Sequence, residues 1–396
     1  MSDLNQASQS PFAQRAGRLL TWLRKPTPPK ALVPQMEGLR FVALAAVFFL
    51  HFDQAVRSRF EAGPATAAGA MISMLSGLGD FGVQLFFAVS GFVLALPFAR
   101  WHLEKGRPVE LRQYFLRRLW RLEPPLLINL LLLLPVTVLV IGQLTWPEAV
   151  QRFFLTLFYS HYVTSGEMSP INRVTWSLET EAQFYLFMPL LGMLFRMPSA
   201  TARRATLIVL SLLCMMCKPL LNKALLPAQF EYFAVGILLA DCHLTSWSAR
   251  LGSSRGWDIA GLLAWVALPF TLIELHHVQG LTKSGILASC VFVAFAAALR
   301  GKHSHRLAGG SLITLIGGMC YSFYLYHDPV LRFGSAALRT WMPAQYESRF
   351  IVELLILLPA VAVVTLLMYA AFERPFMGRT KTKVPGGESV ETQPSD

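Results

Sequence analysis

Residues 37–52 read EGLRFVALAAVFFLHF, an apolar run with one arginine near its start and one histidine near its end. An α-helix needs about 20 residues to cross the hydrocarbon core of a bilayer, and the segment 38–56 has about that length. The run shows no polar face of the kind that a soluble surface helix presents to water. It therefore predicts a membrane-spanning helix that carries two ionisable side chains.

The remainder of the chain repeats this apolar pattern. Hydrophobic residues make up 54% of the 396 residues and charged residues only 15%, whereas soluble domains carry about 25% charged residues. We therefore predict an all-α integral membrane protein, a bundle of about ten transmembrane helices. The predicted spans are residues 38–56, 79–99, 122–142, 176–196, 205–221, 229–242, 258–275, 284–299, 311–331 and 351–372.

The net charge of +12 is compatible with a nucleic-acid partner as well as with a membrane surface. Most basic residues, however, lie in short segments that flank the apolar runs on one side of the predicted bundle, where they set topology. We therefore predict no nucleic-acid partner and place both termini in the cytoplasm. Residues 1–33 form the predicted cytoplasmic leader, 34–378 the membrane domain, and 379–396 a polar, disordered cytoplasmic tail.

The cysteines give no indication of a metal site. Cys214 and Cys217 are separated by two residues, but neither a second cysteine pair nor a histidine pair at zinc-ligand spacing accompanies them. Small packing residues in a helix are the simpler interpretation, and we predict no metal site.

The first span places its two ionisable residues on one face. Eleven helical steps separate Arg40 from His51, which is about 20° more than three turns and about 16 Å along the axis. An ionisable group inside a membrane is costly unless it faces a cavity or a partner. His51 is therefore either a hydrogen-bonding contact between helices or a group that acts on a substrate.

Basic and hydroxyl side chains accompany the next two spans. Arg118 and Arg121 share a face at the cytoplasmic end of the third span, where they either anchor topology or bind a phosphorylated substrate. Ser90 lies among the small residues of the second span. We interpret it as a packing residue, because the sequence shows no base beside it.

Two further candidates lie in later spans. Glu181 shares a helical face with Ser177 and Tyr185, at four-residue intervals in the fourth span. A carboxylate at this depth implies a partner on another helix or a water-filled cleft. His327 falls near the outer end of the ninth span, where a histidine at the membrane interface would be unremarkable.

Six blocks, in this order along the chain, resemble the acyltransferase 3 family of bacterial integral membrane O-acyltransferases. One block alone would be weak evidence, but six blocks in the family's order are specific to it. Together they extend over residues 37–376. The blocks are EGLR (37–40) with His51 ten residues beyond it, GVQLFFAVSGF (82–92), RRLWRLEP (117–124), TWSLETEAQFY (175–185), YSFYLYHDPV (321–330) and ERPF (373–376).

The resemblance implies transfer of an acyl group, usually acetyl from acetyl-CoA, to a hydroxyl of a surface glycan, a lipid-linked sugar or a related acceptor. It implies a multi-pass protein of the bacterial cytoplasmic (inner) membrane, with acyl-CoA as donor substrate and no bound cofactor. Two positions depart from the family pattern, since Gln84 and Ala182 stand where acids are usual. The implied catalytic residues are His51, Glu181 and His327, and the implied residues for the CoA phosphates are Arg40, Arg118 and Arg121.

The chemistry of acyl transfer suits these side chains. A base must take the proton of the attacking hydroxyl, and a neutral imidazole suits that task near neutral pH. We therefore expect His51 to act as the base, with Glu181 or His327 orienting it or the acceptor. The alternative is a transporter or flippase, because charged groups inside a helical bundle suit a transport path equally well. The sequence indicates neither the acceptor nor the oligomeric state.

Overall fold

The computed structural model describes residues 22–23, 33–58, 66–142, 144–245, 254–274 and 280–377. Among these residues every regular element is a helix, and one isolated bridge joins Ser254 to Gly301. The predicted tail and all but three residues of the predicted leader lie outside the described residues. The helices are α1 (Pro34–Arg57), α2 (Ala67–Gly77), α3 (Phe81–Leu103), α4 (Leu111–Pro135), α5 (Trp146–Leu157), α6 (His161–Ser165), α7 (Trp176–Leu191), α8 (Ala200–Cys217), α9 (Phe230–Thr245), α10 (Arg255–Glu274), α11 (Leu281–Arg300), α12 (Ser304–Ala308), α13 (Ser311–Gly318), α14 (Cys320–Ala337), α15 (Tyr346–Met368) and α16 (Arg374–Met377).

The predicted spans coincide with helices, with one exception in detail. The segment 311–331 was expected to be a single span, but it forms two helices, α13 and α14, which are separated at Met319. Two consecutive glycines end α13, and glycine is unfavourable inside a helix. Within the described residues, six helical stretches are long and apolar enough to cross a membrane. The protein is therefore a multi-pass membrane protein, while the total of ten spans and the cytoplasmic placement of the termini stay predictions.

Helix α1, which carries Arg40 and His51, lies at the centre of the bundle. It packs against α3, α13, α14 and α15, and its apolar side chains Leu39, Phe48 and Phe52 are buried. A Cβ atom at Gly317 of α13 would lie only 1.8 Å from the carbonyl oxygen of Glu37. Glycine at this position therefore allows α13 to contact the backbone of α1 directly.

Helices α3 and α9 also pack closely against each other. A Cβ atom at Gly91 would lie 2.3 Å from the carbonyl oxygen of Phe233, and one at Gly236 would lie 2.1 Å from that of Ala88. The small residues of the second predicted span thus allow close helix packing. The crossing fixes the position of Ser90, which precedes Gly91 in the chain.

The acids of the shortest predicted span, residues 229–242, are all ion-paired. Glu231 accepts from Lys218 at 2.6 Å, and Asp241 accepts from Arg203 at 2.6 Å and Arg204 at 2.7 Å. These pairs connect α9 to α8 and to the short helical segment that follows α8. Pairing explains how an apolar helix accommodates two carboxylates.

Candidate active site

A cavity of about 90 Å³ lies between α1, α3, α4, α7 and α14. We call it the Glu181 cavity, after the carboxylate that lines it. Its apolar wall includes Phe87, Leu94 and Leu122. Its polar lining comprises Arg40, Ser90, Arg121, Ser177, Glu181, Tyr185 and Tyr324. The sequence had placed Ser177, Glu181 and Tyr185 on one helical face, and the structure confirms it.

Glu181 is held by two hydroxyl groups. One carboxylate oxygen, Oε1, accepts from the Ser90 hydroxyl at 2.7 Å and from the Tyr185 hydroxyl at 2.5 Å. The partner on another helix that a carboxylate at this depth requires is therefore Ser90 of α3. The expectation that no base lies beside Ser90 was wrong, since the Glu181 carboxylate contacts it. A pairing across helices cannot be read from either span alone.

The three candidate arginines have different surroundings. Arg40 is buried at the cavity wall, and its Nη1 donates to Glu37 at 2.7 Å. Arg121 also lines the cavity, and its buried Nε has no hydrogen-bond partner in the described part of the chain. Arg118 is not among the residues that line the cavity. Its guanidinium stacks on Tyr114 at 3.6 Å from the ring centroid and donates to the Tyr114 carbonyl at 2.7 Å.

The two candidate histidines form a second cluster. The ring centroids of His51 on α1 and His327 on α14 are 5.2 Å apart. His327 is fully buried among the helices, and its depth in the membrane stays a prediction. Nδ1 of His327 faces the carbonyl oxygens of Phe323 at 3.0 Å and Tyr324 at 2.8 Å. Because carbonyls only accept, Nδ1 carries the proton and Nε2 keeps its lone pair.

Sequence reasoning missed the two residues that complete this cluster, Asp328 and Arg173. Nδ1 of His51 lies 3.5 Å from Oδ1 of Asp328, and the same oxygen accepts from Nη2 of Arg173 at 2.7 Å. Arg173 lies just before α7, in a short helical turn, Arg173–Thr175. An aspartate inside a predicted span was a usable signal, since such a group requires a partner. We call His51, His327, Asp328 and Arg173 the histidine cluster.

Tyr324 stands between the histidine cluster and the Glu181 cavity. It lines the cavity, and its ring centroid is 6.3 Å from that of His327. Its hydroxyl donates to the Val174 carbonyl and lies 2.9 Å from the Ser177 hydroxyl. The structure thus places His51 beside His327 and Asp328, and it places Glu181 in the adjacent cavity, in contact with Ser90 and Tyr185.

Five of the six sequence blocks contribute residues to the Glu181 cavity or to the histidine cluster. The sequence model of a family described as an acyltransferase domain matches residues 33–372. The chain belongs to the acyltransferase 3 family. Membership favours acyl transfer over the transport function that the sequence left open.

Two relatives of this family member are named as an O-acetyltransferase and as an acyltransferase. It is 25% identical over 345 residues to the peptidoglycan O-acetyltransferase OatA of Listeria monocytogenes, which covers 78% of this chain and 51% of the relative. It is 24% identical over 338 residues to the acyltransferase MdmB of Streptomyces mycarofaciens, covering 78% of this chain and 81% of the relative. The chain thus spans about half the length of the first relative. No solved structure matches the chain.

Proposed function

We propose that this acyltransferase 3 family member moves a short acyl group, acetyl in the first instance, from acyl-CoA to a hydroxyl of a glycan or lipid-linked sugar at the bacterial inner membrane. The observation that carries the proposal is the histidine cluster. Two imidazoles lie 5.2 Å apart beside a carboxylate, next to a cavity lined by arginines. A base and an anion-binding wall are the two features that acyl transfer from a thioester requires.

In the proposed reaction the acceptor hydroxyl attacks the carbonyl carbon of the thioester. His51, with Nδ1 directed towards Asp328, uses its other nitrogen to take the hydroxyl proton. The new C–O bond forms, the C–S bond breaks, and the CoA thiolate leaves and receives the proton from the imidazolium. Buried His327, with a free lone pair at Nε2, lies where it can stabilise the charged form of its neighbour.

The donor is assigned to the Glu181 cavity. Arg121 offers a buried donor group that no described residue accepts, and Arg40 lies in the same wall. Guanidinium groups bind phosphate oxygens through charge-assisted hydrogen bonds. We assign Arg40, Arg118 and Arg121 to the CoA phosphates. Glu181 accepts hydrogen bonds from Ser90 and Tyr185, and we propose that it positions the thioester end of the donor.

Replacement of Arg121 tests the donor assignment. We expect Arg121→Gln to raise the KM for acetyl-CoA by roughly 10- to 100-fold, the effect of one charge-assisted hydrogen bond. Purified protein in lipid vesicles gives the measurement, with CoA release followed as a function of acetyl-CoA concentration. Arg117→Gln is the matched control, because Arg117 is exposed on the same helix and does not line the cavity. Equal KM values for the two variants would contradict the assignment.

A further inference from the structure

Arg332 of α14 lies four residues after Asp328, so the two side chains share a helical face. The carboxylate of Asp328 is already engaged, since both of its oxygens face Arg173, at 2.7 and 3.5 Å. The same carboxylate lies 3.5 Å from His51. Asp328 is therefore paired with Arg173, while Arg332 lies one helical turn further along α14.

Arg332 is partly buried and makes no hydrogen bond or ion pair within the described ranges. It interacts electrostatically with both Asp328, which attracts it, and Arg173, which repels it. A guanidinium withdrawn from water without an anionic partner is costly, and such groups are common at binding sites.

The position of Arg332 along α14 indicates which substrate it meets. Arg332 lies five residues beyond His327, about 7.5 Å along the helix axis. Cys320, at the other end of α14, lies beside Arg40 in the Glu181 cavity. Arg332 is therefore on the side of the histidines opposite the arginines assigned to CoA. A molecule that approaches His51 from this side meets Arg332 and Arg173, whose side chain is 32% exposed.

We propose that Arg332, together with Arg173, binds an acidic group on the acceptor, so that the acyl group is transferred to an anionic glycan or glycolipid. The inference rests on the proposed function and adds the chemical class of the acceptor. A carboxylate of a sugar acid and a phosphate of a lipid-linked sugar present the same chemistry to a guanidinium. Both sources satisfy the proposal, and a neutral acceptor does not.

The charge of the labelled product tests the proposal directly. Membranes that contain the protein and its natural acceptors are incubated with acetyl-CoA labelled in the acetyl group, and the labelled product is separated by anion exchange. We expect the label to be retained and then eluted by salt. Mild acid, which cleaves glycosyl diphosphates, distinguishes the sources. If the labelled product no longer binds to the anion exchanger after this treatment, the acidic group is the phosphate. If the product still binds, the acidic group is the carboxylate.

Variants of Arg332 test whether this arginine is required to form the labelled product. Arg332→Gln should lower the amount of retained label at least tenfold, whereas Arg332→Lys, which keeps the charge, should restore most of it. Arg339→Gln, at an exposed arginine seven residues further on, should leave the yield unchanged. Because Arg332 has no partner among the described residues, its replacement should not alter the thermal stability of the purified protein.

The outcomes separate this inference from the proposed function. Label that passes through the anion exchanger would overturn the acidic acceptor and leave acyl transfer intact. Retained label at wild-type yield in Arg332→Gln would overturn the role of the arginine. The absence of any acetyl-CoA-dependent label would contradict the proposed function itself, and the inference with it.

Discussion

Replacement of His51 by alanine should abolish acyl transfer while leaving the protein inserted and folded. Loss of a general base typically costs about 10²- to 10⁴-fold in rate, and His51 is the imidazole that contacts the carboxylate of the cluster. The measurement is the ester-linked acetate that mild alkali releases from the cell envelope, compared between cells that produce the variant and cells that produce the wild type.

A second histidine provides the control for this experiment. His303 is exposed in the turn before α12, and among the described residues its ring contacts neither the Glu181 cavity nor the histidine cluster. His303→Ala should therefore retain full activity. Membrane extraction and size-exclusion profiles of both variants should match the wild type. Acetate release by His51→Ala at the wild-type level would exclude His51 as the base.

Replacement of Asp328 by asparagine should reduce the rate by roughly 10²- to 10⁴-fold, because the imidazole loses the group that orients it and stabilises its charged form. The carboxylate also pairs with Arg173, so a loss of activity alone could reflect a broken ion pair. A buried charge left without its partner is itself destabilising.

The charge-exchanged double variant, Arg173→Asp with Asp328→Arg, separates these two roles. It restores an ion pair between the same two positions but places a guanidinium beside His51. We expect the double variant to recover thermal stability relative to Asp328→Asn and to remain inactive in CoA release. If activity returned together with stability, Asp328 would serve only to connect α14 to the segment before α7.

The central helix and the first pair of candidate residues could be predicted because they lie within one span. Arg40 and His51 share a face by helical geometry alone, and both lie on α1 as expected. The same reasoning placed Ser177, Glu181 and Tyr185 on one face of α7. Such relations depend only on spacing within a helix, which a single sequence contains.

That reasoning could not predict which residues contact one another between helices. Asp328 and Arg173 are 155 positions apart in the chain, and Ser90 and Glu181 are 91 positions apart. Nothing in one span specifies which face of another span it meets, because several packings bury the same apolar surface in lipid. The partner of His51 therefore emerged only from the structure, and Asp328, an acid within a predicted span, was a signal that the sequence reasoning did not use.

The central claim is that this membrane protein transfers an acyl group from acyl-CoA by means of the histidine cluster. The most direct test uses purified protein in lipid vesicles with envelope material from the producing bacterium and acetyl-CoA labelled in the acetyl group. We expect label to appear in alkali-labile ester linkage, in proportion to the CoA released, with the wild type and not with His51→Ala. Release of CoA without esterified label, or equal labelling by His51→Ala, would contradict the claim.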